Sequence, residues 1–253
     1  MRRFFIAEID DSQKSLVVNG SEARHMIKVL RMSLGDRCIV MDKEGNSFKT
    51  ILKKINSGDG EVTLDIEERC EATPNSPVKI FLCQSVLKAK SMDLVIEKAS
   101  ELGAFSIIPV ISSRTVAVPA DREKKISRWN SIAISSVKQS GRSTAVEISD
   151  FLNFNEMLYS FEKIDKSLFI IAWENEENTY TKTVLQMQKT SFIESVYILI
   201  GPEGGFSEEE VFLAKKVGCV SVSLGRRILK AETAAITMLA LLQYELGDLG
   251  RVS

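Results

Sequence analysis

Two glycine-bearing loops, each following a strand-like run, hold the residues best placed for chemistry. They lie within residues 196–232, VYILIGPEGGFSEEEVFLAKKVGCVSVSLGRRILKAE. The first, Gly201-Pro202-Glu203-Gly204-Gly205, leaves a buried apolar run at 196–200. Its glycines permit positive φ and let a backbone approach a ligand closely. The loop lacks the GK[ST] ending that sets a lysine and a hydroxyl on phosphates, and it is not GxGxxG. Ser207 followed by Glu210 forms a capping box, so a helix starts at once.

The second loop, Leu224-Gly225-Arg226-Arg227-Ile228-Leu229, leaves a strand at 220–224 and runs into an apolar helix opened by Glu232 and Thr233. In a parallel sheet both loops emerge at one edge, where ligands bind outside the carboxyl ends of the strands. An apolar pocket walled by backbone amides suits an adenine ring better than a pyrophosphate. S-adenosylmethionine and other phosphate-free nucleosides fit that description. The plainer alternative is a tight strand-to-helix turn with Arg226 and Arg227 as a solvated pair; both readings stand on these residues alone.

The elements that must position these loops follow from the pattern after residue 77. Strands at 78–84, 105–110, 168–173, 196–200 and 220–224 alternate with helices at 92–102 and 121–139, and with the helix after Ser207, which argues for βαβ units and a parallel sheet. Gly103 ends the first helix, and Ile126, Trp129, Ile132, Ala133 and Val137 mark one face of the second. Before the proline-bearing seam EATPNSP (71–77), short strands prevail. An apolar run begins at Phe4, 61–66 alternates, and a turn at Glu44-Gly45-Asn46 joins two strands. A short helix over 21–30, with Ser21 as its N-cap, interrupts them. About seventy residues of this kind predict a small β-barrel.

Composition sets limits. The 253 residues are 44% hydrophobic and 26% charged, with net charge −1, an ordinary globular balance without the basic excess typical of nucleic-acid binders. A local basic patch is still compatible with it. No run is long and apolar enough to span a membrane, and MRRFFIAEID turns acidic too early for a signal peptide, so the expectation is a cytoplasmic protein with no membrane association. Cys38, Cys70, Cys83 and Cys219 are scattered without a CxxC pair or a nearby histidine, which predicts reduced thiols and no metal.

IGPEGGFSEEE together with LGRRILKAETA resembles the C-terminal signature of the SPOUT methyltransferases. More narrowly, it is similar to the bacterial enzymes that methylate N3 of a uridine in 16S ribosomal RNA. Upstream, SMDLVIEKASELGAFSIIPVISSRTV and SSVKQSGRSTAVEI resemble the same family, as do RRFF and HMIKVLRMSLGD near the start. The likeness thus covers nearly the whole chain. One departure is Lys138, where the family commonly has glutamate.

The resemblance implies an α/β fold: a PUA-like β-barrel RNA-binding domain over 1–72 and a SPOUT domain over 73–253, with helices on both faces of a parallel sheet and a trefoil knot. It implies a homodimer, a 16S rRNA substrate in the small ribosomal subunit, and S-adenosyl-L-methionine as cofactor. Leu199, Ile200, Gly201, Pro202, Gly205, Leu224, Gly225, Ile228, Leu229 and Thr233 would surround that cofactor. Methyl transfer to N3 requires loss of the imide proton and stabilisation of the resulting anion, a task suited to arginine. Arg142 and Arg114 are the candidates, while Arg3, Arg24, Lys28, Arg31, Lys88 and Lys90 would grip the RNA backbone. His25, the one histidine, is read as a packing or RNA-contacting residue. Glu203 and Glu232 would either orient the cofactor amine or cap backbone amides. The alternatives are a SPOUT enzyme for another RNA site and a non-catalytic module binding an adenosine ligand or RNA.

Overall fold

The computed structural model describes residues 1–6, 9, 13–42, 44–56, 60–70, 76–140, 142, 144–162, 164–188 and 193–249. Residues 71–75 of the seam and Gly141 and Ser143 around Arg142 lie outside them. The chain forms two compact units, Met1–Pro74 with Ile134–Ala145, and Asn75–Ala133 with Val146–Ser253.

In the first unit, β1 (Arg2–Phe5) and β2 (Ser15–Val18) precede α1 (Gly20–Arg24), a π-helical turn (His25–Val29), β3 (Arg37–Met41), β4 (Ser47–Asn56) and β5 (Glu61–Arg69). The sheet order is β1-β3-β4-β5-β2, antiparallel except for β1 with β3. Period-two alternation turns Leu16, Val18, Cys38, Val40, Val62 and Leu64 into one apolar cluster with Phe4, Ala23 and Met26. The expected turn at Glu44-Gly45-Asn46 joins β3 to β4, with Gly45 at φ 92°.

The short helix differs from expectation. It begins at Gly20, its N-cap is Asn19 rather than Ser21, and no side chain caps it. After five residues it widens into the π turn, closed by Leu30 N–H donating to His25 O (2.9 Å) and Met32 N–H donating to Met26 O (3.0 Å). Arg31 exits this turn at φ 49°, a conformation usually left to glycine.

Lys138 also falls in this unit, where its ammonium pairs with Glu22 at 2.5 Å; the side chains are only 20% and 21% exposed. The position at which the resembled family commonly carries an acid is therefore neutralised here by a local acid. Lys138→Glu should destabilise the protein by about 2 kcal/mol in denaturant titration, because two half-buried carboxylates would face each other. Adding Glu22→Lys should recover most of that loss; a strictly additive double mutant would refute the pairing.

The second unit contains β6 (Lys79–Ser85), α2 (Ala89–Glu101), β7 (Ser106–Ile111), α3 (Arg122–Ser140, whose residues from Ile134 belong to the first unit), β8 (Glu147–Ile148), β9 (Leu152–Asn153), α4 (Phe154–Phe161), β10 (Ser167–Ala172), α5 (Thr181–Gln188), β11 (Ser195–Ile200), α6 (Glu208–Lys216), β12 (Val220–Val222) and α7 (Ala231–Glu245). The sheet is parallel in the order β12-β10-β11-β6-β7-β8, with β9 also on β7.

Both faces of this sheet are covered, which is why its strands read as unbroken apolar runs. Ile80, Leu82, Leu168, Ile170, Val196, Ile198 and Ile200 join the core made with α2, α3, α5 and α7. Cys83, Phe169, Ile171, Tyr197 and Leu199 join the opposite core with α4 and α6. Phe81, Tyr197 and Phe169 stand in register across β6, β11 and β10, with ring centroids 4.3 and 5.2 Å apart. Each such aromatic pair adds about 1 kcal/mol beyond burial. No described helix is long and apolar enough to cross a membrane.

Candidate functional site

At the carboxyl edge of the parallel sheet the two glycine loops enclose a cavity of about 580 Å³. Its walls are Ala172, Trp173 and Glu174 at the end of β10, residues 200–205 at the end of β11, residues 223–229 after β12, the start of α7, and Lys88 and Ser91 at the start of α2. That volume lies within the range of small-molecule sites. Ile200, Leu224, Ile228, Leu229, Ala231 and Ala234 give the wall apolar surface.

The first loop is fastened from several directions. Gly205, at φ 67°, closes it by donating its N–H to Pro202 O (2.9 Å). A Cβ on Gly201 would come within 3.1 Å of the Gly205 and Phe206 backbone, so the loop folds too tightly for a side chain there. The Gln84 amide, at the end of β6, donates to Gly201 O (3.4 Å), and the Lys88 N–H donates to Glu203 Oε1 (2.9 Å). Glu203 thus caps a backbone amide, one of the two roles its position suggested.

Arg114 Nη1 donates to the carbonyls of Gly204 (2.8 Å) and Phe206 (3.4 Å). Next to it, Ser113 donates its N–H (2.7 Å) and hydroxyl (2.9 Å) to Glu210. The same carboxylate accepts the Ser207 N–H (2.9 Å), completing the expected capping box. Glu210 therefore does more than start α6: it fastens the segment after β7 to the end of the first glycine loop. A capping box explains its presence in the sequence, whereas the bonds to Ser113 are long-range and leave no local signal.

The second loop is fixed through Ser223. Its N–H donates to Thr179 O (2.8 Å), its carbonyl accepts from the Thr181 hydroxyl (3.0 Å), and its hydroxyl accepts the Gly225 N–H (3.3 Å). Gly225 stands at φ 114°, where a side chain would be strained.

Eight of the residues expected around the cofactor line the cavity: Ile200, Gly201, Pro202, Gly205, Leu224, Gly225, Ile228 and Leu229. Leu199 is instead fully buried in the α4–α6 core, and Thr233 lies in the first turn of α7 outside the lining. Lys88, expected on RNA, lines the cavity, while Lys90 is exposed in the first turn of α2. Arg3, Arg24, Lys28, Arg31 and Arg142 all belong to the first unit, with Arg24, Lys28 and Arg31 exposed. His25 is exposed there too, its ring edge-on to Phe4 at 6.0 Å. Glu232 begins α7 in the cavity wall. Glu174, in the same wall, is a residue that sequence reading did not single out.

Among the described residues no cluster of metal-ligating side chains occurs. Burial pushes the Cys219 thiol up to about 12 and the Cys83 thiol higher still, so both remain protonated near neutrality.

The family profile described as RNA methyltransferase domain matches residues 74–243, and the RNA methyltransferase PUA domain matches 18–65. Ribosomal RNA small subunit methyltransferase E of Mesomycoplasma hyopneumoniae (strain 232) is 30% identical, covering 94% of this chain and 97% of its own. The protein of the same name from Bacillus subtilis (strain 168) is 29% identical over 97% of each chain. The crystal structure of the Neisseria gonorrhoeae protein of that name, bound to S-adenosyl methionine, superposes with a TM-score of 0.87 at 27% identity, covering 98% of this chain and 99% of that one. A Legionella pneumophila methyltransferase in complex with the same cofactor gives 0.86 at 29% identity, with 97% and 98% covered. With its PUA and methyltransferase regions both matched and the likeness running almost end to end, this chain belongs to the ribosomal RNA small subunit methyltransferase E family.

Proposed function

We propose that this protein transfers a methyl group from S-adenosylmethionine to N3 of a uridine in 16S ribosomal RNA of the small subunit. The observation that carries this reading is the cavity that the two glycine loops share, in a chain whose relatives are named as small-subunit rRNA methyltransferases, one of them crystallised with S-adenosyl methionine. The residues present suit that cofactor. Glycine backbone can lie against it, apolar side chains in the wall can take adenine, and no lysine-hydroxyl motif is there for phosphates. The cofactor supplies an electrophilic methyl group on a sulfonium sulfur.

The protein's own part is to align the acceptor and stabilise the imide anion. Arg142 and Arg114 are assigned to the uracil oxygens. Arg114 is held by its Nη1 bonds to the first loop, which leaves its other donors for the acceptor. The imide proton leaves to water. We assign residues 1–72 to RNA binding and 73–253 to cofactor binding and transfer, the latter threaded as the SPOUT trefoil knot. Tyr244 and Leu241, exposed on α7, and Ile228, 85% exposed, are assigned to a homodimer interface. We assign the protein to the cytoplasm, in keeping with a ribosomal substrate.

The exposed cations Arg24, Lys28 and Arg31, with Arg3, are assigned to the RNA backbone. Arg31 offers a test with opposite signs. Arg31→Gly relieves its positive φ and should raise stability by about 0.5 kcal/mol while weakening RNA binding and lowering its salt dependence. A variant that gains stability with unchanged RNA affinity would remove Arg31 from the interface.

The decisive experiment is mass spectrometry of 16S rRNA from a deletion strain, with and without the gene restored. An N3-methylated uridine should disappear and return. Loss of a different methylated nucleotide would keep the enzyme class and change the acceptor; no loss would overturn the reading.

A further inference from the structure

The cavity wall carries three carboxylates, and two have evident structural employment. Glu203 accepts the Lys88 N–H (2.9 Å), and Glu232 lies in the first turn of α7, where the helix dipole favours an acid. Glu174 has neither. It makes no hydrogen bond or ion pair with any described residue, although Lys88, Arg226, Arg227 and Lys230 line the same cavity.

Its carboxylate lies directly over Gly205. A Cβ built on that glycine would fall 2.0 Å from Glu174 Oε1, 2.8 Å from Cδ and 2.9 Å from Oε2. The glycine therefore does two things: it adopts φ 67° and it leaves space for an acid against the loop. A phosphate would be repelled from such a position, where phosphate-binding glycine loops present a lysine instead. A ligand with a cationic end would be retained.

We propose that Glu174 is the residue that selects a cationic adenosine ligand, its carboxylate pairing with the α-ammonium at the methionine end of the cofactor. This rests on the S-adenosylmethionine reading above. The orientation follows from what the wall offers each end of the ligand. Leu224, Leu229, Ile200 and Ala234 supply apolar surface for the adenine, and Glu174, over Gly205, supplies the charge for the ammonium. The pairing charges the wall with a specificity that the glycines alone lack, since backbone amides accept phosphates as readily as they accept adenine.

The test compares three ligands by calorimetry on the wild type and on Glu174→Gln, which keeps the shape over Gly205. S-adenosylmethionine and S-adenosylhomocysteine carry the ammonium; 5′-methylthioadenosine lacks it. The variant should bind the first two about tenfold or more weakly and 5′-methylthioadenosine within about twofold of wild type, the loss expected for one charge-assisted hydrogen bond. An unchanged melting temperature excludes a folding defect. Three outcomes overturn the proposal: no loss for any ligand, an equal loss for 5′-methylthioadenosine, or a loss confined to S-adenosylmethionine, which would put the carboxylate at the sulfonium. A wild-type protein that binds none of the three would instead overturn the cofactor reading on which the proposal rests.

Discussion

Arg142→Ala should lower methylation of small ribosomal subunits by about a hundredfold or more and leave S-adenosylmethionine affinity within about twofold of wild type. The size follows from the chemistry of the acceptor. In the proposed reaction the imide N3–H is lost and charge spreads onto both uracil oxygens, where a fixed cation would act mainly in the transition state. Arginine is suited to this because it stays charged and presents a planar fork to paired acceptors. The expected selectivity follows from the cavity wall, whose lining does not include Arg142. Arg142→Lys should recover little, since a point charge cannot span two oxygens. Single-turnover methylation assays, run alongside calorimetry with the cofactor, separate the two effects. Unchanged turnover would remove Arg142 from the reaction, and an equal loss of cofactor affinity would move it to the other substrate.

What the sequence reveals here depends on whether the cause of a feature is local. The strands at 196–200 and 168–173 are legible because burial on both faces makes them unbroken apolar runs. The glycine loops are legible because backbone conformation restricts residue type at Gly205 and Gly225. The Ser207–Glu210 capping box is a local contact and forms as expected. By contrast, β8 and β9 are two residues each, too short for any period to show. The helices α4 and α5 have eight residues apiece and went unnamed for a similar reason. The grouping of Ile134–Ala145 with the N-terminal strands is invisible along the chain, because the helical pattern of α3 runs on without a break. Glu174 is the most instructive omission. In the run Glu174-Asn175-Glu176-Glu177 it reads as a solvated acidic turn, and only its approach to Gly205, thirty-one residues later in the chain, marks it as part of a cavity. Its neighbour Glu176 has a different use, accepting the Asn178 and Thr179 N–H groups and pairing with Lys215.

Gly201→Val should abolish measurable cofactor binding, whereas Gly205→Ala should weaken it by about tenfold or more; the contrast arises from what each new side chain meets. At Gly201 even a Cβ would stand 3.1 Å from the carbonyl carbon of Gly205 and the nitrogen of Phe206. Those are backbone atoms of the same loop, fixed by the Gly205 N–H bond to Pro202 and by the Arg114 clamp, so the loop has to open. A β-branched side chain makes that unavoidable and leaves the Gln84 amide without its bond to Gly201 O. At Gly205 the obstacle is the carboxylate of Glu174, the far end of a flexible side chain. It can swing aside, but the alanine then occupies the space the acid used and still carries the strain of positive φ, about 1 kcal/mol. The double variant Gly205→Ala with Glu174→Ala discriminates between the two costs. If displacement of the acid dominates, the double variant binds S-adenosylmethionine no more weakly than Glu174→Ala alone; if backbone strain dominates, the two losses add. Calorimetry on the four proteins gives the answer, and a Gly201→Val protein that binds the cofactor at wild-type strength would show that the first glycine loop does not form the cofactor site.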